Sequence, residues 1–163
     1  MKNYEIKVRI TDIKVVLSLI KRSGAVYKGV LRQDDYYLAK GEKKVKVRVI
    51  NGKKFQLIVY MRAEKAGRKE STYTIKDLAP AEKTALLSKK VICYVKKTRR
   101  LWIYKNTRIH LDKVDGLGDF LELETVLKGK AFKNGLSEFN EVMELLGINP
   151  VDSITASYSD LLS

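Results

Sequence analysis

From Asn3 to Ile10 polar and apolar residues alternate without a break. Asn3, Glu5, Lys7 and Arg9 fall on one side of a strand, and Tyr4, Ile6, Val8 and Ile10 on the other. Lys44 to Val49 alternate in the same way. Asn51-Gly52 then marks a hairpin turn, and Phe55 to Arg62 reads as the returning strand. Further strands are predicted near 26–38, 70–76, 107–114 and 119–126, and over 91–97 and 99–104 as one strand or a pair. Glu64 to Lys69 reads as a charged loop, and Lys105-Asn106 and Asp115 to Gly118 as turns. The period changes to that of a helix over 12–22, where Ile13, Val16, Leu17 and Ile20 form a stripe behind a Thr11 cap, with Gly24 beyond the end. Pro80 opens a second helix to about Lys89. Ser137 is placed to cap a third, with Phe139, Val142, Met143 and Leu146 on one face and Gly147 and Pro150 closing it. The tail over 151–163 has no clear period.

About eight short strands joined by tight turns favour an antiparallel sheet that closes on itself, an α+β barrel with flanking helices. The 163 residues, with no repeat or linker, suit one domain over 1–163. Which strand face looks inward is the open question. The polar faces carry Glu5, Lys7 and Arg9; Gln33, Asp35 and Tyr37; Lys44, Lys46 and Arg48; Tyr60 and Arg62; Lys97 and Arg99; Arg108, His110 and Asp112; Glu122 and Glu124. In an ordinary sandwich they would face solvent. Two features point the other way. The helices at 12–22 and 138–146 need an apolar surface to cover, which the aliphatic strand faces supply. The carboxylates also gather on strands near the two sequence ends, and the cations on strands between them.

Charge sharpens the choice. Lys and Arg number 33 against 19 Asp and Glu, a net +14, enough to attract polyanions at long range. One cysteine, Cys93, and one histidine, His110, exclude a disulfide framework within the chain, a Cys-based zinc site and a multi-His metal cluster. There is no run of about 18 apolar residues for a membrane helix, and the opening Met1-Lys2-Asn3-Tyr4-Glu5 does not resemble a secretory signal. A soluble cytoplasmic protein is expected. Cations inside a barrel repel one another unless an anion joins them. Carboxylates beside them suit a hard cation, Mg²⁺ or Mn²⁺. Together these are the parts that phosphoryl or nucleotidyl transfer uses.

At these positions the chain resembles the CYTH family, the triphosphate tunnel metalloenzymes, named for class IV adenylyl cyclases and thiamine triphosphatases. The similarity runs from Asn3 to Leu162. Asn3-Tyr4-Glu5-Ile6-Lys7 resembles the family opening Glu-x-Glu-x-Lys, and Gln33-Asp34-Asp35-Tyr36-Tyr37 its Gln-x-Asp-x-Tyr. Lys46-Val47-Arg48 resembles its basic strand, and Lys97-Thr98-Arg99 its Lys-x-Arg. Leu111 to Glu124 is similar to Leu-Asp-x-Val-x-x-Leu-Gly-x-Phe-x-Glu-x-Glu almost position for position, and Ser157 to Leu162 fits the family ending.

The resemblance implies an eight-stranded antiparallel tunnel with a triphosphate inside. Lys7, Arg9, Lys46, Arg48, Arg62, Lys97, Arg99 and Arg108 would be the phosphate-binding set. Glu5, Glu122 and Glu124 would hold Mg²⁺ or Mn²⁺, and Asp112 and Asp35 would complete that shell or pair with arginines. Glu5, Lys7, Glu122 and Glu124 are the catalytic candidates. The implied reaction is that of an ATP-cyclising adenylyl cyclase, or else hydrolysis of tripolyphosphate or thiamine triphosphate. No membrane or nucleic-acid partner is implied, and relatives suggest a homodimer. Asn3 replaces the first Glu of the opening, and a neutral amide is a weaker ligand for a hard cation.

His110 reads as structural or phosphate-contacting before general acid–base work. Cys93 reads as core, Trp102 as packing against a helix, and Gly116-x-Gly118 as a turn, since it lacks the Gly-Lys-Ser/Thr of a phosphate loop. Lys43-Lys44 and Lys89-Lys90 read as solvated. A rival from another class is a nonenzymatic module for RNA or polyphosphate, with Tyr36, Tyr37, Trp102 and Tyr104 stacking on bases. It leaves Glu122-x-Glu124 unexplained, because that pair would repel a phosphate backbone.

Overall fold

The computed structural model describes residues 2–65, 68–129 and 131–163, and within these the side chains of 62–69 and 131–132 lie outside the described part. In chain order the elements are β1 (Lys2–Arg9), α1 (Ile13–Ser23), β2 (Val26–Ala39), β3 (Lys43–Ile50), β4 (Lys54–Lys65), β5 (Arg68–Leu78), α2 (Pro80–Leu87), β6 (Cys93–Tyr104), β7 (Thr107–Val114), β8 (Gly118–Leu127) and α3 (Ala131–Leu145). A 3-10 turn (Pro150–Asp152) and α4 (Tyr158–Leu161) complete the chain. The eight strands form a closed antiparallel barrel in the order β1-β5-β4-β3-β2-β6-β7-β8. β1 closes it by pairing with both β5 and β8.

The barrel is turned inside out relative to a sandwich. Over β1, β7 and β8 the aliphatic faces point outward, and α1 and α3 cover them. Ile6, Ile109, Leu121 and Leu123 pack there with Ile20 from α1 and with Phe139, Val142 and Leu146. This is the main apolar core, so the opposite, polar faces of the same strands look into the barrel. A second cluster lies inside at one end, where Tyr37, Tyr60, Tyr73, Val95, Val114 and Phe120 surround Tyr158 of α4.

Several local readings change. The cap of α1 is Asp12, not Thr11: its carboxylate accepts from the backbone N–H of Lys14 at 3.0 Å and of Val15 at 3.3 Å. The stretch read as a charged loop belongs largely to a long β4–β5 hairpin, with Glu64 opposite Lys69 and Lys65 opposite Arg68. β6 is one strand rather than two. α3 begins at Ala131, so Ser137 lies within the helix instead of capping it. A Cβ at Gly135 would come within 2.2 Å of Leu127 Cδ2, so a larger residue at this contact between α3 and β8 would require the Leu127 side chain to move. α3 is also latched by Glu138, whose buried carboxylate accepts from the Asn106 N–H at 2.8 Å and from Thr107 Oγ1 at 2.7 Å. At the Asn51-Gly52 hairpin, where Ile50 pairs with Lys54 and the Lys53 N–H donates to the Ile50 carbonyl at 3.0 Å, Asn51 and Gly52 both take positive φ, 53° and 69°.

Phe139 is fully buried at the centre of the helix–barrel core. Phe139→Ala is expected to lower the unfolding free energy by about 3–5 kcal/mol, measured by urea denaturation. A loss below about 1 kcal/mol would contradict the placement of the main core outside the barrel.

Candidate functional site

The cavity inside the barrel has a volume of about 430 Å³, within the range of small-molecule sites. Because side chains alternate along a strand, residues two apart share the lumen. β1 contributes Asn3, Glu5 and Lys7; β3 contributes Lys46 and Arg48; β6 contributes Lys97 and Arg99; β7 contributes Arg108 and His110; β8 contributes Glu122 and Glu124. The segregation of charge by strand therefore becomes a segregation by wall. Cations dominate the β3–β2–β6 side, and carboxylates the β8–β1 side.

Two buried aspartates hold the cations in place. Asp35, 1% exposed, accepts from Arg48 Nε at 2.7 Å, Arg48 Nη2 at 2.8 Å and Lys46 Nζ at 2.8 Å, with Lys97 Nζ at 3.5 Å. Burial opposes ionisation of this carboxyl, but Arg48, Lys46 and Lys97 together hold it well below the usual carboxylate range. Asp112, wholly buried, accepts from Arg99 Nε and Nη2, each at 2.7 Å, and from the Tyr158 hydroxyl at 2.8 Å. Burial again opposes ionisation of Asp112, and Arg99 lowers its pKa. Each arginine spends one edge on an aspartate, and Arg99 Nη2 also reaches Glu122 at 3.1 Å. The remaining N–H groups of each five-donor fork are available to a ligand. Burial, the largest cause, together with Arg99 and Arg48 outweighs the attraction of Asp35 and brings the Lys97 ammonium down to about 8. Lys46 is lowered as well, first by burial and then by Arg48.

On the opposite wall the register sets Glu5 directly across from Glu124, and Lys7 across from Glu122. Two carboxylates at directly opposed strand positions repel each other. Glu122 accepts from Arg99 and lies 3.1 Å from His110 Nδ1. Burial first, and then Arg99, lowers the pKa of the His110 imidazole, which is therefore neutral at pH 7. Asn3 Nδ2 donates to Glu124, and Arg108 lies 3.7 Å from the same carboxylate. Asn3 Oδ1 and Ser71 Oγ are buried without a hydrogen-bond partner, and their residues are paired across β1 and β5. Among the described residues no three His, Cys, Asp or Glu side chains converge as a metal-binding group. The donor set nevertheless suits Mg²⁺ or Mn²⁺. Such an ion commonly takes one or two carboxylates and completes its shell with water and substrate phosphate. Glu5, Glu124 and the unpartnered oxygen of Asn3 are all hard oxygen donors.

One end of the barrel is plugged by the segment before and within α4. Lys7 Nζ donates to the Ala156 carbonyl at 2.7 Å and lies 4.3 Å from the centre of the Tyr158 ring. Lys44 Nζ donates to Ser157 Oγ at 2.6 Å and pairs with Asp160.

The structure thus brings together Glu5, Lys7, Lys46, Arg48, Lys97, Arg99, Arg108, Glu122 and Glu124. Arg9 does not join them: it is exposed, donates to the Leu117 carbonyl at 2.6 Å and stacks over Phe120. The parity that puts Lys7 inside also applies to Arg9, but by that point β1 has reached the barrel rim. Asp112 takes the arginine-pairing role and is absent from the cavity lining. The side chain of Arg62 lies outside the described residues. Lys44, read as solvated, is buried. The aromatic residues of the RNA reading are spread over the inner face and separate parts of the outer face of β2 and β6. Tyr37 is inside, Tyr36 packs on Tyr94, Trp102 on Tyr27, and the Tyr104 hydroxyl donates to Glu141. Cys93 is half-buried beside the Ser159 carbonyl.

The sequence reading missed Leu31, Ile50, Gln56, Ser71, Tyr73 and Leu101 as lining residues. Extending each strand's parity by one or two steps reaches most of them. No local pattern announces Tyr158 as a plug.

Residues 1–158 match the family model described as the CYTH domain. A Methanocaldococcus jannaschii protein named "Putative adenylate cyclase" is 25% identical over 99% of this chain and 98% of its own length. The PH1012 protein of Pyrococcus horikoshii superposes with a TM-score of 0.81 at 24% identity, over 98% of each chain. A Vibrio parahaemolyticus structure titled a putative adenylate cyclase gives 0.78 at 18% identity, covering 98% of this chain and 97% of its own. A Hippeastrum structure, titled a putative adenylyl cyclase with a dominant triphosphatase activity, gives 0.63 at 16% identity, covering 96% and 92%. With the family model spanning nearly all of the sequence and the same closed barrel recurring in these structures, this chain belongs to the CYTH domain family.

Proposed function

We propose that this protein is a metal-dependent enzyme acting on a triphosphate held in the barrel, and that its reaction is the conversion of ATP to cyclic AMP and pyrophosphate. The observation that carries this reading is the cavity inside the barrel in which Lys46, Arg48, Lys97 and Arg99 face the opposed Glu5–Glu124 pair. Fixed cations of this kind neutralise charge on a transferring phosphoryl group without having to reorganise. Arg48 and Arg99 are already oriented by Asp35 and Asp112, so little ordering cost falls on binding. A divalent ion at Glu5, Glu124 and Asn3, when bound, would supply further charge neutralisation at the phosphates. In cyclisation the ribose 3′-hydroxyl loses its proton and bonds to the α-phosphorus. The bond from that phosphorus to the bridging oxygen breaks, and pyrophosphate leaves. The lysines and arginines are suited to hold the departing anion. The names of the Methanocaldococcus and Vibrio relatives support this reading.

A second reading, hydrolysis of tripolyphosphate or thiamine triphosphate, is favoured by the Hippeastrum title. The same clamp serves both, because the difference lies only in which nucleophile reaches which phosphorus. A cytoplasmic setting goes with either substrate class. Among the described residues no helix is long and apolar enough to cross a membrane.

ATP, thiamine triphosphate and tripolyphosphate, each with Mg²⁺ or Mn²⁺, separate the two readings when cyclic AMP, pyrophosphate and orthophosphate are scored individually. Cyclic AMP with equimolar pyrophosphate is expected. Orthophosphate alone would replace the cyclase reading with the hydrolase one, and no turnover of any substrate would overturn both. Glu124→Ala is expected to abolish metal-dependent turnover with the thermal midpoint retained, and unchanged activity would refute its role. Arg48→Ala is expected to cost about 2–3 kcal/mol in kcat/KM, the size of a lost charged contact; a change below a few-fold would contradict it.

The pH dependence has a definite sign. Lys97 is charged below about 8 and loses its proton above it, so the free protein loses a phosphate-binding charge as pH rises. Affinity for tripolyphosphate is expected to be flat below about pH 8 and to fall above it, and Lys97→Gln is expected to remove that step. Titration calorimetry between pH 7 and 9.5 measures it. A rise in affinity with pH would contradict the assignment.

A further inference from the structure

The floor of the cavity is a short piece of chain with little hold on its own shape. α4 has four residues, too few to be stable as an isolated helix. Contacts on two sides of the barrel fix its place. On the β1 side Ser153 bridges to Val8, and the Ile154 N–H donates to the Lys7 carbonyl at 2.7 Å. On the β2–β3 side Lys40 Nζ donates to the Ser159 carbonyl at 2.9 Å, and Lys44 holds both Ser157 and Asp160. Between these anchors Tyr158 is buried and lines the lumen.

Filling space asks only for an apolar ring, and Tyr158 does fill space. Its ring meets Phe120 edge-on at 5.0 Å between centroids, and Lys7 Nζ and Lys97 Nζ lie 4.3 Å and 5.1 Å from its centre. The hydroxyl goes further. It donates at 2.8 Å to Asp112 Oδ2, the oxygen that also accepts from Arg99 Nη2, while Oδ1 accepts from Arg99 Nε. Three donors therefore fix a wholly buried carboxylate, and that carboxylate sets the plane of the guanidinium paired edge to edge with it. Arg48 is the natural comparison within the same cavity. It makes the same two-pronged contact with Asp35, but the further cations beside that aspartate are Lys46 and Lys97, both from the barrel strands.

We propose that Tyr158 is a positioning residue: through Asp112 its hydroxyl holds Arg99 in the orientation that grips phosphate, so that the C-terminal segment completes one half of the clamp. The proposal rests on the triphosphate reading above and deepens it. The last turn of the chain then acts in ligand binding as well as in closing the barrel.

Tyr158→Phe keeps the ring and its packing and removes only the hydroxyl. Two measurements on the full chain separate positioning from packing. The first needs no ligand: solvent exchange of the arginine Nε–H protons, followed by NMR. Tyr158→Phe is expected to speed exchange at Arg99 about tenfold, the effect of one hydrogen bond on local opening, and to leave Arg48 within about twofold. The second is the dissociation constant for tripolyphosphate in Mg²⁺, by calorimetry. It is expected to rise about tenfold in Tyr158→Phe, and about tenfold again when that change is added to Arg48→Lys. Added to Arg99→Lys it is expected to change affinity by less than about twofold, because lysine lacks the fork through which the hydroxyl acts. Unchanged exchange at Arg99, an affinity within about twofold of wild type, or a tenfold loss that persists in Arg99→Lys would overturn the proposal and leave the triphosphate reading standing. A wild-type protein that binds no tripolyphosphate would overturn both.

Discussion

The structure depends on keeping like charges close together inside a closed barrel, and two aspartates make that tolerable. Asp35 gathers Lys46, Arg48 and Lys97, and Asp112 takes Arg99. Both carboxyls are almost wholly removed from water, where an unpaired charge is prohibitive. Each cation–carboxylate contact therefore supports the others: remove an aspartate and several cations lose the partner that justified their burial. The lumen is also more nearly neutral than the net charge of +14 suggests. Among the described residues six lining cations, Lys7, Lys46, Arg48, Lys97, Arg99 and Arg108, meet five carboxylates, Glu5, Asp35, Asp112, Glu122 and Glu124. Most of the excess positive charge lies on the outside of the protein, where it can steer anions toward the barrel without straining the fold.

That interior is affordable only because the apolar core lies elsewhere. α1 and α3 cover the outer faces of β1, β7 and β8, and the aliphatic side chains that would fill the middle of a sandwich pack under helices instead. The lumen is left for charge, shape and ligand. Stability and function are thereby assigned to opposite faces of the same strands, so a one-residue register slip in β1 or β8 would exchange them.

Much of this was legible in the sequence because strict alternation binds every second residue to a common face. Asn3-x-Glu5-x-Lys7, Lys46-x-Arg48, Lys97-x-Arg99 and Glu122-x-Glu124 could be grouped by parity alone, and the demand of two amphipathic helices for an apolar surface decided which face turned inward. What escaped was set by tertiary geometry. Parity does not show where a strand leaves the lumen, so Arg9 was grouped with Lys7 although it lies at the rim. Nor does it separate a ligand-facing carboxylate from one behind an arginine, and Asp112 proved to be the latter. The early start of α3 was hidden because Ser137, a good cap residue, lies inside the helix rather than at its start. Lys44 sits near a turn and looked solvated, but the C-terminal segment folds back over it.

The central claim is that a triphosphate lies within the barrel, held by the inward cations. A crystal structure with a nonhydrolysable ATP analogue and Mg²⁺ tests it most directly. The account predicts phosphate oxygens within hydrogen-bond distance of Lys46, Arg48, Lys97 and Arg99. Phosphates bound instead to exposed lysines, with the barrel empty of ligand, would contradict it.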